Sequence, residues 1–162
     1  MSVVSLVVAI ADNGVIGDHG RIPWRIADDM KFFRAVTMGK PCIMGRKTWD
    51  SLPKKPLAGR TNIIVTRDRA FRADGAVVVH SLDEALARCA GADEIAVIGG
   101  ADIYAAALPR ATRIHLTEVH GAFAGDARFT FDRTHWRETA REDRTTPEGL
   151  AYSFVTLERS RC

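Results

Sequence analysis

Cysteine is scarce in this chain, and its spacing suggests no pairing. Cys42, Cys89 and Cys162 make an odd number among 162 residues, with no CxxC pair and no histidine-rich companion. That excludes a disulfide scaffold and a structural zinc site, and it predicts a reduced, cytoplasmic protein without metal. Long hydrophobic runs are missing too. The longest strongly apolar stretch, residues 3–11, is nine residues with a serine inside it, whereas a membrane helix needs about 20. It has no basic leader and no small-residue cleavage site, so no secretory signal is read. Repeats, low-complexity tracts and Pro/Ser-rich linkers are also absent, which predicts a single domain over 1–162. No run of Lys/Arg with interleaved aromatics suggests a nucleic-acid groove. GxGxxG and Walker motifs are lacking, which excludes a standard Rossmann or P-loop site.

What is present is ordinary for a globular protein: 46% hydrophobic and 27% charged residues, with a mean hydropathy of -0.08. The charge is unevenly spread. Residues 1–81 hold 13 Lys/Arg against 7 Asp/Glu, net +6, while residues 82–162 hold 10 against 13, net −3. A cationic first half is either a solvated surface or a field that steers an anionic ligand.

Hydrophobic patterning predicts strands alternating with helices. Residues 3–10 are β-branched and almost wholly apolar, as a strand buried on both faces requires. Residues 12–24 carry Gly14, Gly17, Gly20 and Pro23 without a hydrophobic period; a loop of that length is usually functional, often a lid. A helix is expected over 28–37, stopped by Gly39 and Pro41, then a strand at 41–45, a helix at 46–52 and a turn at 53–59. Strands at 61–66 and 76–79 precede a helix reaching residue 90, opened by the capping box Ser81-Leu82-Asp83-Glu84. A strand at 94–98 leads through Gly99-Gly100 into a helix over 102–108 closed by Pro109. Strands at 113–119, 136–144 and 152–158 follow, the last two forming a hairpin through Thr146-Pro147-Glu148-Gly149. This is an α/β pattern: a mainly parallel sheet with an antiparallel C-terminal hairpin edge. Ligands in such sheets bind at the carboxyl ends of the strands.

On a wheel of about 100° per residue, Asp29, Phe32, Phe33 and Val36 form one apolar stripe, with Ile26 near the same side. Asp28, Lys31 and Ala35 fall on another face, so Asp28 reads as an N-terminal cap and dipole partner. Asp29 shares its stripe with two phenylalanines, where an unpaired carboxylate is costly. Two readings stay open. Asp29 either lies at the wet end of the stripe or bonds backbone amides, or it is a half-buried acid awaiting two parallel N–H donors, such as an aminopyrimidine edge. In the second case desolvation raises its pKa.

Three strand ends lead into anion-binding chemistry. Gly45-Arg46-Lys47-Thr48 joins a strand to a helix, bringing free amides and two cations together. Arg67 follows the strand ending at Thr66, and Gly99-Gly100-Ala101-Asp102 is a second strand–glycine–helix junction. Small residues there let the backbone approach a pyrophosphate closely. Singly, glycine turns and surface arginines are usually structural; three at one end of one sheet point to a dinucleotide with an extra phosphate.

Val15-Ile16-Gly17, Ile22-Pro23-Trp24 with Asp29 five residues beyond, Ile43-Met44-Gly45-Arg46-Lys47-Thr48-Trp49, Leu57-Ala58-Gly59-Arg60-Thr61-Asn62, Val97-Ile98-Gly99-Gly100 with Tyr104, and Leu116-Thr117 occur in this order. Together they resemble dihydrofolate reductase of the bacterial, single-domain type, over essentially the whole chain. The resemblance implies an eight-stranded sheet with four flanking helices. It also implies NADPH-dependent reduction of 7,8-dihydrofolate to 5,6,7,8-tetrahydrofolate, with antifolate inhibitors as further ligands. Catalytic roles are implied for Asp29, Trp24 and Thr117. Asp29 would hold the pterin N3 and 2-amino group and promote protonation at N5, Thr117 would hydrogen-bond that carboxylate, and Trp24 would order a water. Val7, Val8, Ile22, Phe33, Leu52, Leu57, Ile98 and Tyr104 would line the pterin and benzoyl slot. Arg60 would pair with the glutamate α-carboxylate, a bidentate task that lysine does poorly. NADPH would lie along Ala9, Ile16, Gly17, Gly45, Thr48, Val65, Ile98, Gly99, Gly100, Ala101, Asp102, Ile103 and Tyr104. Arg46, Lys47, Thr66 and Arg67 would gather at its 2′-phosphate, with His80 near the adenine. A cis peptide is implied at Gly99-Gly100, and Asp126 would accept lid backbone N–H groups. Nothing marks an interface, so a monomer is expected.

Other functions fit less well. A same-fold reductase acting on a ribosylamino-pyrimidine in riboflavin synthesis would keep the glycine turn and the cations, but it gives no reason for Asp29 or Arg60. A non-catalytic NADPH-binding module leaves the acid on the apolar stripe unexplained. A basic RNA-binding domain conflicts with the dispersed charge and the missing stacking aromatics.

Overall fold

β1 (Val3–Ala11) is apolar on both faces and becomes the buried centre of the sheet. In the computed structural model, which describes residues 2–160, it pairs in parallel with β6 (Glu94–Val97) on one side and β7 (Arg113–Val119) on the other. Beyond β6 lie β3 (Pro41–Gly45), β4 (Thr61–Val65) and β5 (Ala76–Val79), all parallel. Beyond β7, β10 (Ala151–Arg159) runs antiparallel, and β9 (Trp136–Thr145) pairs antiparallel with it. The order β5-β4-β3-β6-β1-β7-β10-β9 is the expected mainly parallel, eight-stranded sheet with an antiparallel C-terminal edge. Among the described residues there are four α-helices: α1 (Ala27–Thr37), α2 (Arg46–Ser51), α3 (Leu82–Arg88) and α4 (Ala101–Ala107).

Alternation along β1 builds a core on each face. Leu6 and Val8 join Ile43, Ile63, Val97 and Ile114 in one cluster, while Val7 joins Cys42, Met44, Trp49, Ile64 and Ala96 in another. Cys42 and Cys89 are buried and unpaired; Cys162 lies outside the described residues. No helix among the described residues is long and apolar enough to cross a membrane.

Local differences have local causes. α1 begins at Ala27, so Ile26 is the N-cap and makes no side-chain cap bond. Asp28 is therefore not the cap; Tyr152 and Arg144 draw its carboxylate sideways instead. Ser81 Oγ accepts from Glu84 N at 3.0 Å as expected, but the Glu84 carboxylate accepts from His80 N at 2.9 Å, one residue before the cap. α3 stops at Arg88, short of residue 90, as the chain turns toward the left-handed Gly91. The 12–24 loop contains β2 (Val15–Gly17), which pairs with β8 (Ala127–Arg128) in a second, two-stranded sheet. Such short strands carry no readable period. Gly125 allows their close approach: a Cβ there would collide with the Gly17 carbonyl and the Val15 side chain.

Candidate active site

The first turn of α1 crosses the carboxyl end of β7. Thr117, itself buried, donates its hydroxyl to Asp29 Oδ1 at 2.6 Å. No charged group offsets the burial of Asp29, so desolvation raises its carboxyl pKa and the Thr117 bond opposes this only in part. Asp29 is thus half-buried and bonded to a side-chain hydroxyl rather than at the wet end of the stripe. Tyr104 enters from α4 and donates its hydroxyl to the Val7 carbonyl at 2.7 Å. Burial, then the negative charge of Asp29, push that phenol upward. Trp24 is buried beside Phe123, ring centroids 5.2 Å apart, and its Nε1–H has no partner among the described residues.

An apolar wall adjoins the acid. Val7 and Ile98 are buried there, with Phe33, Leu52 and Leu57 packed against the same cluster. Val8 faces the opposite side of the sheet, and Ile22 stands 62% exposed in the 12–24 loop, so neither side chain joins this wall. At the far end of α1, Arg60 Nη1 donates to Thr37 Oγ1 at 3.1 Å and Nε to the Ala58 carbonyl at 2.9 Å. Asn62, almost fully buried, accepts from Leu57 N at 2.9 Å and donates to the Leu57 and Arg60 carbonyls at 3.0 Å. It thus braces the turn that carries both residues. Thr37 and Asn62 had no expected role. The available signal for Asn62 was an amide inside the strand run Thr61-Asn62-Ile63-Ile64-Val65.

Along the strand ends, β3 and β6 bring two glycine junctions side by side. Gly45 N donates to the Gly99 carbonyl at 2.8 Å, and Ile103 packs against Gly45. Thr48 faces Gly100, and the Gly99–Gly100 peptide is cis. Gly99 has φ +116, and a Cβ there would sit 3.1 Å from the Tyr104 ring. Ala101 and Asp102 open α4, the latter exposed. Val65 ends β4 between Gly45 and Val79. Beyond it, His80 Nδ1 donates to the Thr66 carbonyl at 2.8 Å. Arg46 donates to Asp68 Oδ2 at 3.1 Å and lies over Phe71, 4.4 Å from the ring centroid. Lys47 and Arg67 are exposed.

The 12–24 loop docks on the 121–128 segment. His19 N donates to Asp126 Oδ1 at 3.0 Å, as expected of Asp126, and Asn13 Nδ2 to the Phe123 carbonyl at 2.8 Å. Gly17 lies in β2, Ile16 packs with the Val8 side of the core, and Ala9 packs against the cluster that holds Ala11, Trp24 and Val119.

The family model described as dihydrofolate reductase matches residues 3–159. The chain belongs to the dihydrofolate reductase family. It is 51% identical to the dihydrofolate reductase of Neisseria gonorrhoeae, over 94% of this chain and 95% of that one. With the Mycobacterium tuberculosis dihydrofolate reductase it shares 46% identity, over 99% of this chain and all of the other. Among solved structures, dihydrofolate reductase from Enterococcus faecalis, complexed with NADP(H) and RAB-propyl, superposes with a TM-score of 0.90 at 29% identity. That match covers 98% of this chain and 97% of the other. As a dihydrofolate reductase family member, the chain is an oxidoreductase enzyme.

Proposed function

We propose that this chain reduces 7,8-dihydrofolate to 5,6,7,8-tetrahydrofolate with NADPH. The observation that carries the reading is the pair formed by Asp29 and Thr117, a half-buried acid with one hydroxyl partner and no compensating cation. A carboxylate so placed matches an aminopyrimidine edge, whose two N–H groups supply the partners it lacks. Asp29 binds N3 and the 2-amino group and promotes protonation at N5. Thr117 fixes the orientation of the carboxyl, and the Trp24 Nε1–H donates to a water at the same edge. Val7, Phe33, Leu52, Leu57 and Ile98 exclude solvent from the ring slot. Arg60, already held by Thr37 and Ala58, receives the substrate's α-carboxylate. Antifolates with the same aminopyrimidine edge take the same position.

The strand ends suit a dinucleotide. Side-chain-free backbone at Gly99 and Gly100 beside Gly45 and Thr48 accommodates a pyrophosphate, and Arg46, Lys47 and Arg67 offer cations for a 2′-phosphate. NADP(H) in the Enterococcus faecalis relative supports that assignment. When bound, the reduced nicotinamide supplies the hydride that C6 accepts. The chain's own contribution is position and electrostatics.

Loss of nicotinamide absorbance with and without dihydrofolate, repeated with NADH, tests the reading. Dihydrofolate-dependent oxidation that prefers NADPH is the expected result. NADPH binding without dihydrofolate turnover would overturn it and redirect the search to a pyrimidine substrate.

A further inference from the structure

α1 meets the sheet through two carboxylates that are neighbours in sequence and point apart. Asp29 reaches Thr117 on β7. Asp28 reaches β10 and β9, where the Tyr152 hydroxyl donates to its Oδ2 at 3.0 Å and Arg144 Nη1 to the same oxygen at 3.1 Å. An aromatic layer backs this clamp. Phe32 stacks on Phe154 with centroids 4.3 Å apart, and the Arg144 guanidinium lies 5.2 Å from the centre of the Phe154 ring. The start of the helix is otherwise anchored by Ile26, buried against the sheet, and by the Asp29–Thr117 bond itself. Ile26 supplies no side-chain cap, and the one fully buried residue of α1 is Thr37, in the last turn. The first amides of a helix have no intrahelical acceptor, so an uncapped first turn frays unless something outside the helix holds it.

Successive helical residues are about 100° apart around the axis, so a tether on one sets the rotation of the next. We infer that Asp28, held by Tyr152 and Arg144, is the positioning residue for Asp29, fixing the depth at which that acid sits against Thr117. The inference rests on the reading of Asp29 as the acid of the reaction. Without the clamp the turn rotates outward, water reaches Asp29, and the penalty on its charged form shrinks. The groups against which its titration is read are Tyr104 from α4, Thr117 from β7, and Asp28 on its own helix. Asp28 is in turn acted on by Lys31 in α1, Arg144 in β9 and Tyr152 in β10.

The test is the pH profile of hydride transfer in single turnovers with dihydrofolate and NADPH. In Asp28→Ala the midpoint should fall by about half a pH unit or more, cutting the protonated fraction about threefold above it, while the KM for NADPH stays at the wild-type value. Asp28→Asn keeps an acceptor for both donors and should retain the wild-type midpoint. Tyr152→Phe removes one bond without touching a charge, and its midpoint should also fall; it carries the test if Asp28→Ala does not fold. Wild-type midpoints in the folded members of Asp28→Ala and Tyr152→Phe would overturn the inference. An equal fall in Asp28→Asn would overturn it as well, because charge rather than bonding would then set the titration. Asp29→Asn run alongside separates the two readings. A midpoint left at the wild-type pH in Asp29→Asn removes the reading of Asp29 and the inference with it. One that falls in Asp29→Asn yet stays fixed in the clamp variants removes the inference alone.

Discussion

One half-buried carboxylate lies at each end of the parallel strands, and their pKa values are shifted in opposite directions. At the carboxyl end, Asp29 has a single hydroxyl partner and burial raises its pKa. At the amino end, Glu94 is 12% exposed and accepts from Arg113 Nη1 and His115 Nε2, both at 2.8 Å, with Lys40 Nζ at 3.3 Å. Arg113 is held in turn by Glu158 at 2.6 Å. Burial pushes Glu94 up as well, but the bonds from His115 and Ser5, with the charge of Lys40 and in acid that of His115, whose own pKa burial lowers, outweigh it and hold the carboxyl at about 2. Desolvation acts on both acids, and their partners decide the outcome. An acid surrounded by a histidine and two cations serves the fold, whereas one left with a hydroxyl is available to a ligand.

The contrast breaks most sharply if Asp29 is expendable. Asp29→Asn should slow hydride transfer by about 10²-fold or more, the scale of a positioned acid. The deficit should grow toward alkaline pH, where N5 protonation is scarce. Single-turnover nicotinamide absorbance across that range decides it, and a wild-type rate at alkaline pH removes the assigned role. At the other end, Glu94→Gln leaves Arg113 and Lys40 without their shared counter-charge and should cost about 3 kcal/mol of stability, read by urea unfolding. Because Glu94 is held below its ordinary value of 4.5, its contribution is complete above that pH and is lost as pH falls toward about 2. Acid unfolding of the wild type should therefore steepen over that window, and that of Glu94→Gln should flatten.

Asp29 was legible in the sequence because helical periodicity is local: four residues at i, i+3, i+4 and i+7 suffice to set an acid among phenylalanines. Glu94 was not. It opens a strand, and its partners come from the residue before β3 and from β7, brought alongside by a strand order that no local pattern encodes. The cap reading of Asp28 failed for the same reason, since Tyr152 and Arg144 lie at the other end of the chain, although it does stand in the acidic first turn of α1. β1, β7, β10 and α1 were legible from apolar runs and period, whereas β9 has one buried residue, Trp136, and no apolar run. β2 and β8 are too short for either signal, and they exist because each completes the other. Asn62 shows the same limit inside a recognised motif: its bonds to Leu57 and Arg60 depend on a turn whose shape the motif does not spell out.

Cations repeat the contrast between the ends. Arg113 is paired twice within the fold, while Arg67 is exposed at the carboxyl end and makes no ion pair among the described residues. Arg67→Ala should weaken NADPH binding by about 2 kcal/mol, the worth of a charge-assisted hydrogen bond, leave NADH binding nearly unchanged and leave the unfolding midpoint where it was. Titration calorimetry with both dinucleotides measures the difference. Equal losses for the two would remove the 2′-phosphate assignment.

The smallest effect expected is also the one that tests the contrast within a single variant. Asp29 is raised above its ordinary 3.8 in the fold, so the folded state binds its proton more readily than the unfolded chain does. Below the ordinary value the acid is neutral in both states and costs nothing. As pH rises through the raised value, the folded state takes on a desolvated charge that the unfolded chain carries in water, and stability falls. Asparagine removes that charge while its side-chain oxygen still accepts from Thr117. Asp29→Asn should therefore be more stable than the wild type at neutral pH, the gap closing as pH drops below the ordinary carboxylate range. Urea unfolding of both proteins at neutral and acid pH measures that gap, and the loss of the Glu94 cluster in acid cancels between them. If the variant is instead less stable at neutral pH, Asp29 is acting as Glu94 does, as an acid the fold depends on, and the distinction between the two ends of the sheet fails at its most informative residue.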